Sequence, residues 1–393
     1  MRTGTRAPAQ DLAISSVHTT TASSVSAALA VVLLAASCVP AVPSGPTPVP
    51  ATPSAPAPSG SSQVSPGGPA AALPAIGDVH SWLYLLDTDL DDGTLAEIEA
   101  SAYDMVVIDF ISSQAGSADY PMAEAIARLH RSPHPKIVLA YLNIGEAEDY
   151  RAYWQPGWQA GNPEWMLRDD PEGWLGNFPV AYWHDEWREI WLGQVGLIRQ
   201  VVDAGFDGMY LDWVEAYDDE AVIAAAAHDA VDPRAEMVRW VGELASAART
   251  SRPGFLVIAQ NAASLLPEEA YALVLDGVAQ EQIWFDGGPD DHPPGDCPLP
   301  RMEAEVDSDA YVESLSPACR RLYADNPDGT LHTSTEEYLD LLSPASKSDL
   351  PVFTVDYAVE PANVAWIYAE SRRLGWIPYV SNRALDTFLP RTP

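Results

Sequence analysis

The 393-residue chain sets 56 Asp and Glu against 21 Lys and Arg, a formal charge of −35, with 47% hydrophobic residues and 13 Trp. Such a chain can bury a large core, and its acidity repels phosphate backbones, which excludes nucleic acid as a partner. The acidity suits a soluble exported protein and equally suits a cationic ligand.

Residues 1–38 read as an export signal. Arg2 and Arg6 open it, and the apolar run from Ala27 to Ala36 is too short to span a membrane permanently. Leu34-Ala35-Ala36-Ser37-Cys38 then has the form of a lipoprotein cleavage site, with Ala35 where such sites usually carry Leu. Cys38 is the expected lipidation site of an extracellular, cell-surface lipoprotein attached to the membrane only through that anchor; full secretion is the alternative. Residues 39–77 are Pro, Ala, Ser, Thr and Gly with almost no charge, a composition that behaves as a disordered tether. The only charges before residue 78 are Arg2, Arg6 and Asp11, so the remainder of the chain carries −36.

From residue 78 onward, strand and helix patterns alternate. Apolar strands are predicted at Trp82–Leu86, Met105–Phe110, Lys136–Leu142, Gly208–Asp212, Phe255–Gln260, Gly277–Gln280, Val352–Asp356 and Ile377–Val380. Helices are predicted at Thr94–Ala102, Met122–His130, Glu186–Ala204, Arg234–Arg249, Thr335–Leu342 and Ala362–Leu374. Near-continuous apolar strands suit a parallel sheet buried on both faces. Eight βα units in one run predict an α/β fold, a single (β/α)8 TIM barrel over 78–390, with an open doubly wound sheet as the runner-up. No Gly-rich phosphate loop follows the first strand, which weakens a nucleotide-binding version of that sheet.

In such a barrel every strand's C-terminal end faces one cleft. The polar residues there are Asp87, Asp109, Asn143 with Glu146, Asp212, Gln260 with Asn261, Glu281, Asp356 and Asn382. Acids crowded together raise one another's pKa, so one carboxyl keeps a proton while another stays ionised. Paired carboxylates with no Ser–His motif and no His-rich ligand set point to glycoside hydrolysis without metal or cofactor. His184 reads as a loop hydrogen-bonding residue. The long connection from Asn143 to His184 is dense in aromatics, including Tyr150, Trp174 and Trp183, which form a loop core or stack on sugar rings. Cys297 and Cys319 share one Pro-rich stretch and are expected to form a disulfide in an oxidising compartment; a metal site would have only His292 nearby to complete it.

The stretches Ala140-Tyr141-Leu142-Asn143-Ile144-Gly145-Glu146-Ala147-Glu148-Asp149-Tyr150-Arg151, Gly205-Phe206-Asp207-Gly208-Met209-Tyr210-Leu211-Asp212 and Gly277-Val278-Ala279-Gln280-Glu281 resemble the barrel domain of glycoside hydrolase family 114. That family includes endo-α-1,4-polygalactosaminidases and members once mislabelled as cysteinyl-tRNA synthetase-like. The resemblance implies a pair of catalytic carboxylates at the ends of the fourth and sixth strands: Asp212 as nucleophile and Glu281 as general acid/base of a retaining double displacement. It also implies Asp87, Asp109, Tyr141, Glu146, Asn261 and Asp356 as substrate-binding residues and an amine-bearing polysaccharide as substrate. Trp183, from the aromatic connection, is expected to join them, and the chain is expected to be a monomer. The segment holding Cys297 and Cys319 is longer than the family pattern. A non-catalytic carbohydrate-binding protein on the same barrel is the alternative function.

Overall fold

A computed structural model describes residues 72–388 other than Asp87 and Asp328. The expected export signal, Cys38, most of the tether and the expected subsite residue Asp87 lie outside the described residues.

Eight strands form one sheet in chain order: β1 (Trp82–Leu85), β2 (Met105–Asp109), β3 (Ile137–Asn143), β4 (Gly208–Asp212), β5 (Leu256–Gln260), β6 (Gly277–Glu281), β7 (Val352–Tyr357) and β8 (Ile377–Ser381). Every neighbouring pair is parallel. Parallel neighbours require crossovers, and helices between the strands supply them on the outside. At the seam, the Trp82 indole N–H donates to the Ile377 carbonyl at 2.9 Å, and the Leu86 N–H donates to the Leu385 carbonyl at 3.0 Å. The result is a nearly closed (β/α)8 barrel.

Side chains at alternate positions point into the barrel, and here they are aromatic. Trp82 lies 5.5–5.9 Å from the rings of Tyr84, Tyr210, Phe353 and Tyr379. This layer plugs the interior below the strand ends, and the cleft opens above it at the C-terminal face. One register step above Tyr210 on the same inward face stands Asp212.

Two helices replace the single one expected over Glu186–Ala204. They span Asp185–Leu192 and Leu197–Ala204, with Gly193 and Gly196 between them. A side chain at Gly196 would strike the Trp191 backbone, so the chain turns where only glycine fits. A helix absent from the sequence reading, Glu220–Asp229, starts where the Asp219 carboxylate accepts the N–H groups of Ala221 and Val222. Beyond β6, Cys297 and Cys319 form the expected disulfide inside a small core of their own with Leu299, Tyr311, Leu315 and Leu331. Among the described residues no helix is long and apolar enough to cross a membrane.

Candidate active site

The strand ends open onto a cleft of about 790 Å³. Its walls come from the turns after β2 and β4, the long β3–β4 connection, the disulfide-bearing insertion (Pro289 to Asp291) and the turn after β8. Residues 146–148 pair antiparallel with 177–179, which folds the aromatic connection back over one side. Gly145 permits this: a side chain there would collide with the Trp213 carbonyl oxygen and the Ala216 side chain.

Asp212 and Glu281 meet at the centre of the floor. Gln260, at the end of β5, stands between them. Its one side-chain nitrogen donates to Asp212 Oδ1 at 2.6 Å and to Glu281 Oε2 at 2.9 Å. Two contacts from one atom bound the separation of those oxygens at 5.5 Å or less. The Tyr210 hydroxyl donates to the Gln260 carbonyl oxygen, which leaves the amide nitrogen facing the acids. The second Asp212 oxygen accepts from the Tyr141 hydroxyl at 2.7 Å. Glu281 Oε2 also accepts from Asn261 Nδ2 at 3.0 Å, and Oε1 from the Tyr357 hydroxyl.

The backbone under this pair is strained in a repeated way. Trp213, Asn261 and Gln282 each follow a strand-end residue directly, and each has a left-handed φ, of 55°, 61° and 54°. For a residue with a Cβ this costs about 1–2 kcal/mol, and such costs concentrate where function fixes geometry. Asn261 uses its conformation: its side-chain oxygen accepts the Glu281 and Gln280 donors at 3.0 Å while its nitrogen holds the Glu281 carboxylate.

Burial pushes the Glu281 carboxyl above the usual carboxylate range. The Arg383 guanidinium opposes that shift and the neighbouring Asp212 charge adds to it. Glu215, in the turn after β4, is pushed well up by burial and then by Asp212, and its Oε2 has no hydrogen-bond partner. Glu146 is likewise pushed well up by burial and by Asp170. Nine carboxylates line the cleft among the described residues, against two guanidiniums, Arg151 and Arg383. No group of three or more His, Cys, Asp or Glu among the described residues is arranged to hold a metal ion.

The expected subsite residues divide. Asp109, Tyr141, Glu146 and Asn261 line the cleft with Asp212 and Glu281. Asp109 is bonded to Arg151 at 2.7 Å and to Gln114 at 2.6 Å. Asp356 stands outside the cleft: it is fully buried and accepts the backbone N–H groups of Trp284 (2.7 Å) and Phe285 (3.1 Å), fixing the chain after β6. Trp183 also stands outside, with its indole donating to Asp229 at 2.8 Å beside His184. Of the aromatic connection, Tyr150 and Trp174 reach the cleft, whereas Trp165 and Tyr182 are buried in the main hydrophobic core.

The sequence reading missed Tyr357, Arg383, Glu172 and Glu215. Tyr357 is the last residue of β7, one beyond the predicted strand end, and the inward alternation Phe353, Val355, Tyr357 would have found it. Arg383 lies two residues past the last strand, and a search of strand ends for acids passes over a cation.

The model of the family described as glycoside-hydrolase family GH114 matches residues 61–392. An uncharacterized protein of Deinococcus radiodurans is 32% identical over 326 residues, 83% of this chain and 87% of that protein. Among solved structures, the glycoside hydrolase domain of PelA from Pseudomonas aeruginosa aligns with a TM-score of 0.50 at 16% identity, over 79% of this chain and 97% of that one. Ega3 of Aspergillus fumigatus, whose crystal structure is a complex with galactosamine, aligns with a TM-score of 0.49 at 17% identity, over 82% and 97%. The likeness to the PelA domain is one of fold.

Proposed function

The chain belongs to glycoside-hydrolase family GH114 and is a glycoside hydrolase; on that premise we propose that it cleaves an α-1,4-linked, galactosamine-containing polysaccharide with retention at the anomeric carbon. Asp212 is the nucleophile and Glu281 the general acid/base. The observation that carries the mechanism is the single Gln260 nitrogen bonded to both carboxylates, which keeps their facing oxygens within 5.5 Å. Retaining enzymes hold their carboxyl groups about 5–5.5 Å apart, whereas inverting ones leave about 6.5–9.5 Å for a water.

Each step follows from the environments. Burial favours the protonated form of Glu281, which gives its proton to the glycosidic oxygen as Asp212 attacks the anomeric carbon and the leaving sugar departs. The ionised Glu281 then takes a proton from water, and the resulting attack frees the sugar from Asp212 and restores the acid. Tyr141 and Gln260 hold the attacking carboxylate, and Asn261 and Tyr357 hold the acid. Asp109 and Glu146 lie along the cleft as subsite residues. The acidic lining favours a substrate bearing ammonium groups, in keeping with the polymer that the family resemblance implies.

The expected organisation belongs to the same proposal: residues 1–38 as an export signal with Cys38 as lipid attachment site, 39–77 as a tether, and one barrel over 78–390 acting as a monomer. The test is digestion of an α-1,4-galactosamine polymer, free and N-acetylated, with products read by mass spectrometry and the first-formed anomer by proton NMR. The expected result is cleavage of the amine-bearing polymer with α product. First-formed β anomer would overturn the retaining mechanism, and binding without products would favour the non-catalytic alternative.

A further inference from the structure

Arg383 stands in an arrangement that neither strand counting nor the proposed mechanism uses. Its guanidinium is buried in the cleft wall after β8, stacked on the Tyr357 ring at 4.6 Å and the Trp174 ring at 5.0 Å. Three carboxylates surround it, Glu281, Asp286 and the half-exposed Glu172, each at 3.8 Å. Its hydrogen bond, at 3.1 Å, goes to the Tyr357 hydroxyl, which itself donates to Glu281, and its Nε is buried without a hydrogen-bond partner. A guanidinium meant as a structural brace bonds carboxylates in a fork at about 2.7–2.9 Å. This one is held a full ångström further off, by rings on its faces and a phenol in front.

We propose that Arg383 is a positioning residue for the acid/base: it keeps Tyr357 aimed at Glu281 and sets, through its charge, the pH at which Glu281 holds its proton. The inference rests on Glu281 being the acid/base. The titratable groups facing Glu281 are Asp212 and Tyr210 from β4, Tyr84 from β1, Tyr357 from β7, Glu172 at the rim, and Arg383. Arg383 is the cation among them. Burial and the Asp212 charge drive the acid's proton affinity up, and the guanidinium restrains it. An opposite charge at this range moves a carboxyl by about one pH unit or more. Without the restraint, Glu281 would keep its proton to higher pH and donate it less readily to the leaving oxygen. Arg383 also stacks under Trp174, which couples the acid to the connection that roofs the cleft.

The test is the pH dependence of kcat/KM for wild type, Arg383→Gln and Arg383→Lys on the polymer, with melting temperatures. Activity needs protonated Glu281, so its loss with rising pH reports the acid. In Arg383→Gln that falling limb should move up by about one pH unit and kcat should drop about tenfold. In Arg383→Lys, which keeps the charge and loses the planar fork, the limb should stay within about 0.3 unit while kcat falls several-fold. An unmoved limb in Arg383→Gln, with only the melting temperature lowered, would assign the residue to structure alone. If Arg383→Gln does not fold, Arg383→Lys decides: a limb raised by the full unit, or wild-type kcat, overturns the inference. Glu281→Gln separates the two levels, since retained activity there sinks the acid/base assignment itself, whereas an inactive Glu281→Gln beside an unmoved Arg383→Gln limb sinks only this proposal.

Discussion

The two cations of the cleft are bonded in opposite ways. Arg151 donates to Glu148 and Asp109 at 2.7 Å and to Ser113 at 2.9 Å, all buried, with the Tyr150 ring over its face. Arg383 touches no carboxylate closer than 3.8 Å and makes its hydrogen bond to a phenol. On the Arg151 side the charges cancel at contact distance and the carboxylates are fixed. On the Arg383 side the guanidinium stands off from three carboxylates and bonds none of them, and the nearest acid is free to titrate. The strand-end aspartates divide in the same way: Asp109 lies against a guanidinium, whereas Asp212 accepts only neutral donors, Tyr141 and Gln260. Neutral partners orient a carboxylate without cancelling its charge, which leaves a nucleophile available.

The comparison breaks if the neutral-donor side is not the reactive one. Asp212→Asn and Glu281→Gln should each cost about a thousandfold in kcat or more, with melting temperatures within about 4 °C of wild type; turnover near wild type in either would remove the assignment. Arg151→Met should do the reverse. It leaves two buried carboxylates uncompensated, for about 3–5 kcal/mol of lost stability in a denaturant titration, while the falling limb of the pH–rate profile stays in place. A moved limb there would erase the difference between the two arginines. Gln260→Leu removes the donor shared by both acids, worth about 1.5–3 kcal/mol for bonds to charged groups and so about 10- to 100-fold in kcat. A loss confined to KM would show that Gln260 serves binding instead.

The smallest expected effect is on stability against pH. Burial pushes Asp356 up to about 7, despite the backbone N–H groups of Trp284 and Phe285, and raises Glu281 and Glu146 as well. Groups whose folded pKa is raised contribute stability that is fully present below their unfolded value and is lost as pH rises through the folded one. The melting temperature should therefore decline between pH 5 and pH 8, less steeply in Asp356→Asn. A melting temperature that rises across that window would contradict the assignment of these groups as buried acids.

Much of this architecture was legible in the chain. Near-continuous apolar runs placed all eight strands within a residue or two, because strands buried on both faces leave that pattern. The count put Asp212 at the fourth strand end and Glu281 at the sixth. The resemblance supplied their roles, and the pairing of Cys297 with Cys319 came from residue type and compartment. Less legible were the glycine break at 193–196, which helical periodicity runs across, and Asp356, which ends its strand as Asp212 does but faces a backbone to be capped.

By itself, then, the sequence determined that the chain forms an eight-stranded parallel barrel and that its strand ends are acidic, since both follow from local periodicity and composition. Only the tertiary structure decided which acids are free. That depends on partners 20 to 102 residues away in the chain: Gln260 and Asn261 beside Glu281, Tyr357 in front of it, Arg383 held off by two rings. Compensation of a charge falls off over a few ångströms, and no spacing along a chain records whether a guanidinium will sit at 2.7 Å or at 3.8 Å.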